Sequence, residues 1–572
     1  MLDIVIRGAD VIDGTGAARR RADVGVAHGR VVEIGDLGDQ TDAAHTIDAT
    51  DRVVCPGFVD VHTHYDAQAF WDPTLSPSPL HGVTSVIGGN CGFSIAPLGG
   101  DPSNGDYLMR MLARVEGMPL EALEDGVPWN WASMGDYLDT LDGTLAINAG
   151  FKVGHSAVRR VTMGPDATRR EATDDELETM KGLVREALGA GAIGFSSSWS
   201  RTHNDADGAM VPSRHGSRTE LVELMGVCGE FTGTSLELIP QAGAFEPWAV
   251  ELMTDCSVAA GRPLNWNVLF VNAAARDDAF RRLEAGDHAR ARGGRVVALT
   301  VPMMVNLRLS FAGGFILDAM PGWEEAMFLP RDEKLDLLAD PERRRALGEA
   351  AASPDNPLRN LARWSGMVVF DTTAPENVGM QGRTIGEIAD GRDPFDVLCE
   401  IVVADELTTS FGNPPADESD ADWQARVDVW RDGRAVIGAS DAGAHLDLFH
   451  TANFATEMLG EAVRRRGLLP LEEAVHLITD VPARLYGLRD RGRLEPGSAA
   501  DIVILDETTI GTSPLQVRRD LPTGAPRLTS EAVGIDRVLC NGTVIVEDGA
   551  FTGARPGTIL RSGRDTADPA MD

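Results

Sequence analysis

Apolar and polar residues alternate near both ends of the chain. The segments LDIVIRGADVID and ADVGVAHGRVVEIG lie near the start, and GSAADIVILDETTI and IDRVLCNGTVIVEDG lie near the end. Such alternation is typical of half-buried β-strands, and Asn541-Gly542 is typical of a hairpin turn. We therefore expect a single small β domain assembled from both termini, residues 1–56 and 486–560.

The middle of the chain has a different pattern, in which short apolar runs alternate with helical periodicity. LAINAGFKVGHSAVRR is followed by DDELETMKGLVREALGAG and then by AIGFSSS. This alternation predicts βα units around a parallel sheet, and their number favours a closed (β/α)₈ barrel over residues 57–485. Stretches near 300–365 and 411–430 are rich in Pro, Gly, Asp and Arg, and we expect them to be insertions that could form a lid.

Length and charge exclude some classes of function. The chain has 572 residues and a formal net charge of -35, which argues against nucleic acid or an anionic membrane as a partner. No apolar run approaches the length of about 18 residues that spans a membrane, and the first residues lack the features of a signal peptide. A cytoplasmic protein with a small-molecule substrate is expected, and a homo-oligomer is left open.

The stretch PGFVDVHTHYDAQ offers the first candidate chemistry. His62 and His64 follow a short apolar run and flank one threonine. Residues two apart in a strand point to the same side, so both imidazoles would lie together at the carboxyl end of a barrel strand. Neutral imidazole is a good zinc ligand. The alternative is a pair of histidines that only form hydrogen bonds in a polar barrel mouth.

Several motifs together resemble the amidohydrolase superfamily, and most closely its D-aminoacylase (N-acyl-D-amino-acid deacylase) branch. They are PGFVDVHTHYDA, HGVTSVIGGNCGFSIAPL, VGHSAVRR, GAIGFSSS, IGASDAGAH and LEEAVHLITDVPARLYGLRDRGRLEPGSAADIVILD. The resemblance extends to about residue 550 and is loose between 200 and 430. It implies an α/β fold, a metal-dependent (β/α)₈ barrel inserted in a small β-sandwich.

The same resemblance implies a metal site and a catalytic residue. His62 and His64 would bind the metal from the first barrel strand, Cys91 in GGNCGFS would add a thiolate, and Asp441 in GASDAGAH would serve from the last strand. Two imidazoles, a thiolate and a carboxylate suit zinc better than magnesium or calcium. Asp441 would also act as the general base. The alternatives are a small buried core cysteine and an aspartate that caps a turn or helix.

The chain departs from the superfamily pattern on the strands expected to be fifth and sixth. Relatives usually supply one histidine from each, yet no histidine occurs between His215 and His288. Glu237 falls near the expected position on the fifth strand, and Asn265 and Asn267 are the nearest polar residues on the sixth. Glu237 and Asn267 are therefore candidates for a metal ligand or for a hydrogen-bonding partner of the ligands.

Three explanations of the missing histidines are open, and they differ in whether the site holds one zinc ion or two. The site could be mononuclear, Glu237 could replace a missing histidine, or His203 and His215 could approach from the loop after GFSSSWS. A carboxylated lysine would be a further route to two metals, but Lys152, the one lysine in a strand-like segment, does not match the usual motif. We expect no dinuclear site by that route.

Two other polar residues are candidates for the site. His155 in VGHSAVRR could be a hydrogen-bond donor in the wall of the site, a metal ligand, or a packed core histidine. Arg201 could bind a substrate carboxylate, since guanidinium groups bind carboxylates through two hydrogen bonds. The alternative for Arg201 is an ordinary surface ion pair.

These features predict a metal-dependent hydrolase that cleaves a non-peptide C-N bond. The resemblance indicates the amide of an N-acyl-D-amino acid as substrate. A cyclic amide or a lactone is an alternative substrate. A second alternative, of another class, is an amidohydrolase-like scaffold whose incomplete ligand set no longer supports hydrolysis and which acts as a binding protein.

Overall fold

The amino-terminal strands belong to a mixed sheet outside the barrel. The computed structural model describes residues 1–38, 42–241, 243–314, 316–356, 358–414 and 418–571. The first strands are β1 (Leu2–Val11), β2 (Arg20–Ala27), β3 (Arg30–Gly35), β4 (Ala43–Asp48) and β5 (Val53–Pro56). Buried Ile6 and Val24 pack in the apolar core of this sheet, as the alternation of apolar and polar residues requires.

A closed barrel follows immediately. Its parallel strands are β6 (Phe58–Asp60), β7 (Val83–Gly88), β8 (Asn148–Phe151) with its continuation β9 (Val153–Gly154), β10 (Gly194–Ser198), β11 (Ser235–Ile239), β12 (Leu264–Leu269) and β13 (Val296–Thr300), and the last strand comes after an insertion. Helices between these strands are α1 (Gln68–Trp71), α2 (Pro102–Val115), α3 (Leu120–Gly126), α4 (Met134–Leu141), α5 (His155–Met163), α6 (Asp174–Gly189), α7 (Arg218–Gly226), α8 (Pro247–Ala260) and α9 (Arg276–Ala291).

The insertion has a core of its own. It contains α10 (Glu324–Phe328), α11 (Arg331–Ala339), α12 (Pro341–Ala352), β14 (Val368–Asp371), α13 (Ile385–Ala389), α14 (Pro394–Ala404) and β15 (Ser410–Gly412). Trp323 and Trp364 stack there with ring centroids 5.8 Å apart, beside Phe395. Arg308 N donates to Leu448 O at 2.7 Å, which places the insertion beside the segment after the last barrel strand. Its function as a lid stays a prediction.

The predicted insertion limits differ from the structure. Beyond the expected end at 365, the elements β14, α13, α14 and β15 contribute to the same apolar core as the helices before them. Positions 315 and 357 lie outside the described residues. Residues 420–430 of the second expected insertion form helix α15 (Asp420–Trp430), which contacts α9, while 415–417 lie outside the described residues. Trp423 and Trp430 are buried, so an amphipathic helix follows the polar stretch that suggested an insertion.

The barrel closes between its first strand and its last strand, β16 (Ala435–Ile437). Beyond the regular strands, Thr63 and Ala442 form a parallel bridge, and His64 N donates to Ala442 O at 2.7 Å. The described strands thus confirm the predicted (β/α)₈ barrel. The helical elements α16 (Phe454–Met458), α17 (Leu471–Ile478) and α18 (Asp480–Leu485) follow, with a π-helix at Leu459–Arg465.

Four of the carboxyl-terminal strands return to the first sheet. The strands in this part of the chain are β17 (Ile502–Leu505), β18 (Gly511–Thr512), β19 (Gln516–Arg518), β20 (Arg527–Thr529), β21 (Ala532–Val533), β22 (Ile535–Cys540), β23 (Thr543–Glu547), β24 (Ala550–Phe551) and β25 (Ile559–Leu560). Of these, β17, β22, β23 and β24 join the first sheet, while β18 pairs with β21, β19 pairs with β20, and β25 pairs with β8. The nine-stranded sheet has the order β24-β23-β22-β17-β5-β1-β2-β3, with β4 also paired to β1. Both termini therefore contribute to one sheet.

The last strand lies apart from that sheet. β25 pairs with β8 of the barrel, and Leu560 is fully buried. The segment from 559 therefore packs on the barrel rather than in the terminal β domain. No helix within the described ranges is long and apolar enough to cross a membrane.

Candidate metal centre

The two histidines of the HTH motif lie in the extended segment just after β6. Both side chains are buried, and their ring centroids are 5.2 Å apart. Thr63 between them donates through its hydroxyl to Ile87 O at 2.9 Å. Because this segment is held between β7 and the segment after β16, both imidazoles point into the barrel mouth.

Cys91 lies in the turn that follows β7. Its φ is 57°, and this left-handed backbone turns the side chain toward the histidines. Its Sγ lies 3.5 Å from His62 Nε2 and 3.9 Å from His64 Nε2. Ligand atoms of these three residues all lie within 4.8 Å of one another, close enough to share one ion.

Asp441 lies in the segment after β16 and completes the group. Its backbone N–H donates to His62 O at 3.1 Å, and its Oδ1 lies 2.9 Å from His62 Nε2 and 3.7 Å from His64 Nε2. Burial raises the pKa of Asp441, but hydrogen bonds from His62 and His64 outweigh it and hold that pKa well below its usual range. The carboxylate is therefore charged.

The chemistry of this donor set fits zinc. Two imidazole nitrogens and one sulfur lie close together, and a carboxylate oxygen of Asp441 lies beside the two imidazoles, a set of donor types that suits zinc. Burial raises the pKa of Cys91 well above its usual value, and the charges of Glu237 and Glu116 raise it further. A thiolate at this position therefore needs a nearby cation.

Glu116 is a site residue that the sequence reasoning missed. It follows the last turn of α2, and its Oε1 lies 3.5 Å from His64 Nδ1. Its Oε2 lies 3.8 Å from His445 Nε2. Burial raises the pKa of Glu116 to about 7, although the neighbouring His64 opposes this. A carboxylate behind a ligating histidine fixes the ring and its tautomer, and no motif in the sequence marks Glu116 for that role.

Glu237 and Asn267 lie beside the cluster and bind each other. Glu237 Oε2 accepts a hydrogen bond from Cys91 N at 2.7 Å, and its Oε1 accepts from Asn267 Nδ2. Burial raises the pKa of Glu237 to about 7, while the Lys152 ammonium lowers it. Both residues therefore support the loop that carries Cys91, and both Glu237 oxygens already accept hydrogen bonds.

His155 belongs to a different buried network. It is the first residue of α5, its Nδ1 lies 2.9 Å from Ser197 Oγ, and its Nε2 lies 2.7 Å from Glu220 Oε1. Glu220 also accepts from Arg159 NH1 at 2.5 Å. With both ring nitrogens engaged in this way, the contacts favour a packed core histidine over a metal ligand.

The loop after β10 carries the remaining candidates. Arg201 is exposed, and its binding of a substrate carboxylate stays a prediction. His203 is partly buried, with its Nδ1 2.7 Å from Ser198 Oγ and its ring 5.1 Å from that of Phe93. His215 ends the short 3₁₀ turn Pro212–His215. The structure thus joins His62, His64 and Cys91 in one group, with Asp441 against the two imidazoles, and Ser198 engages the Nδ1 of His203.

The closed (β/α)₈ barrel carries paired histidines after its first strand and an aspartate after its last, which together form a candidate metal centre at the carboxyl ends of the strands. The family model described as "Amidohydrolase family" matches residues 45–312 and 391–546, and the chain belongs to this family.

Individual relatives extend this result. A D-aminoacylase from Alcaligenes xylosoxydans xylosoxydans is 30% identical over 568 residues, which cover 98% of this chain and 97% of that protein. The structure also resembles N-acyl-D-glutamate deacylase from Bordetella bronchiseptica in complex with zinc and a phosphonate inhibitor, with a TM-score of 0.67, 26% identity, and coverage of 98% and 100% of the two chains. A D-aminoacylase structure with a binuclear metal centre has a TM-score of 0.65, 26% identity and the same coverage.

The contact between Glu116 and His64 leads to a first prediction. Glu116→Gln removes the charge that orients the His64 ring, so we expect zinc affinity to fall by about 10-fold or more. Competition with a chromophoric chelator measures this affinity. Glu121→Gln, at an exposed position of α3, is the matched control. Equal affinities of the two variants would contradict the orienting role.

The network around His155 leads to a second prediction. His155→Ala leaves Ser197 and Glu220 each without one hydrogen bond, so the melting temperature should fall while the zinc content stays that of the wild type. His62→Ala should instead lose zinc. Elemental analysis and thermal unfolding are measured side by side, with the exposed His45→Ala as control. Loss of zinc from His155→Ala would restore this histidine as a ligand.

Proposed function

We propose that this chain is a zinc-dependent hydrolase that cleaves N-acyl-D-amino acids into a carboxylate and a free D-amino acid. The observation that carries the proposal is the cluster of His62, His64 and Cys91 at the carboxyl ends of barrel strands, with Asp441 Oδ1 2.9 Å from His62 Nε2. The acyl-D-amino acid class is supported by the D-aminoacylase and the N-acyl-D-glutamate deacylase, both similar to this chain along nearly its whole length.

In this proposal His62, His64 and Cys91 hold the ion, and Asp441 lies beside it. When bound, zinc supplies Lewis acidity, which polarises the amide carbonyl and lowers the pKa of water. The buried histidines, each with 3% or less of the side chain exposed, keep the site rigid. Glu116 holds the His64 ring in the orientation that directs Nε2 toward Cys91.

Asp441 is suited to move the proton. Its side chain is 29% exposed, whereas those of His62 and His64 are buried, so it faces the side from which substrate and water enter. Its ionised carboxylate takes a proton from the attacking water as the oxygen bonds to the carbonyl carbon. The same proton then passes to the amide nitrogen as the C-N bond breaks.

The cysteines and the loop after β10 bear on where the protein acts and how it binds the substrate. All six cysteines are free and buried, as in proteins of a reducing compartment, which supports the cytoplasm. A homo-oligomer stays a prediction. Arg201 is the proposed partner of the substrate carboxylate, from its exposed position on the loop after β10.

A substrate panel tests the function. Zinc-loaded protein should release amine from N-acetyl-D-amino acids with neutral or acidic side chains, at a kcat/KM at least about tenfold above that for the L enantiomers. Hydantoins and lactones are assayed in the same series. Hydrolysis of only a cyclic substrate would replace the proposed substrate class, and no hydrolysis with zinc bound would favour a binding scaffold.

The role of Asp441 leads to a further prediction. Asp441→Asn keeps the shape of the side chain but cannot accept the proton, so kcat should fall by at least about a hundredfold while most zinc is retained. Steady-state kinetics and zinc analysis of the same sample provide the measurement. Asp125→Asn, at an exposed position of α3, is the control. Near-normal turnover of Asp441→Asn would remove this residue from proton transfer.

A further inference from the structure

A lysine lies inside the barrel next to the candidate metal centre. Lys152 joins β8 to β9 and is fully buried. Its Nζ donates to Asn90 Oδ1, in the residue before Cys91, and lies 5.1 Å from the centroid of the Tyr486 ring. A buried ammonium is costly unless negative groups lie near it, so its neighbours must account for its position.

The negative groups around Lys152 belong to the metal centre. Burial lowers the pKa of Lys152 to about 8, and the charges of Glu237, Cys91 and Asp66 oppose that decrease. Its Nζ donates to Asn90 Oδ1 and lies over the Tyr486 ring, contacts that suit an ammonium. Glu237 and Cys91 act on it through their charges.

On that side a chain of hydrogen bonds replaces metal ligands. Tyr486 Oη donates to Asn265 Oδ1 at 2.8 Å, and Asn265 Nδ2 donates to Asn267 Oδ1 at 3.4 Å. Asn267 in turn donates to Glu237, which also accepts from Cys91 N. Glu237 lies on β11, and Asn265 and Asn267 lie on β12. These are the strands where relatives of this superfamily carry histidines, and amide groups are weak ligands for zinc.

We propose that the Lys152 ammonium supplies the positive charge that a second metal ion supplies in a binuclear centre, so that this chain holds one ion, at His62, His64, Cys91 and Asp441. A fixed ammonium beside Cys91 repels a second divalent cation and balances the Glu237 carboxylate. A carboxylated Lys152 would instead add negative charge beside Glu237 and Cys91. This proposal rests on the proposed zinc-dependent function, because that function requires the first ion. The exclusion of a second ion does not depend on it.

Counting metal ions tests the proposal. Metal-free protein is titrated with zinc, freed of unbound metal by equilibrium dialysis and analysed for zinc per chain. We expect one ion in the wild type and an increase toward about two in Lys152→Met, because Glu237 and Cys91 then attract a second cation. Lys181→Met is the matched control, since Lys181 lies on α6 and pairs with Glu178 and Glu223, and it should bind one ion.

Each of the other possible outcomes contradicts a specific part of the proposal. Two ions in the wild type and one in Lys152→Met would make Lys152 a ligand. A carbamate signal in ¹³C NMR, after incubation of the protein in ¹³C-bicarbonate buffer, would identify the carboxylated form of this lysine. One ion in both proteins would show that Lys152 does not exclude the second. No ion in the wild type would contradict the proposed function itself.

A measurement on the wild type alone covers the case in which Lys152→Met does not fold. Protein loaded with excess cobalt is examined by electron paramagnetic resonance. The proposal predicts the signal of isolated cobalt ions, whose intensity corresponds to one ion per chain. A spin-coupled pair would overturn it, because coupling requires two ions that share a bridging ligand.

Discussion

The barrel closure between its first and last strands is the contact on which the site depends. Thr63 and Ala442 form the parallel bridge across this seam, and the backbone N–H of Asp441 donates to His62 O at 3.1 Å. Ser440 Oγ donates to the buried carboxylate of Asp60 just below. These contacts join residues almost 400 positions apart in sequence, so the site exists only when the whole barrel has folded. Loss of the seam would separate the base from the histidine ligands.

The charge balance of the barrel mouth explains the choice of residues there. Glu116, Glu237 and Asp441 lie around Cys91, and each influences its pKa in the direction that disfavours the thiolate. Such a group of acids is stable in a buried site only with cations close by. Lys152 supplies one, and a zinc ion would supply the other. The acids and cations at the barrel mouth therefore depend on one another, since each buried charge is stable only with its opposite nearby.

The sequence predicted the barrel and the four clustered residues because both leave local signals. Alternating strands and helices mark the barrel, and HTH, GGNCGFS and GASDAGAH are short motifs at strand ends. Glu116 was missed because its contact with His64 depends on where α2 ends in space. The second expected insertion includes α15, because the polar stretch before that helix obscures its pattern in the sequence. Lys152 was noticed but assigned no role, since its charge matters only through neighbours from other strands.

The departure from the superfamily on β11 and β12 is best understood as a change of several residues together. A buried hydrogen-bonded chain costs free energy if one member is lost, because the partner is left unsatisfied. Replacing Asn267 alone by histidine would leave Glu237 Oε1 without its donor and bring an imidazole toward the Lys152 ammonium. A second metal site could return only if the lysine, the glutamate and the asparagine all changed. The three residues together would thus favour the proposed single-ion form more firmly than any one of them alone.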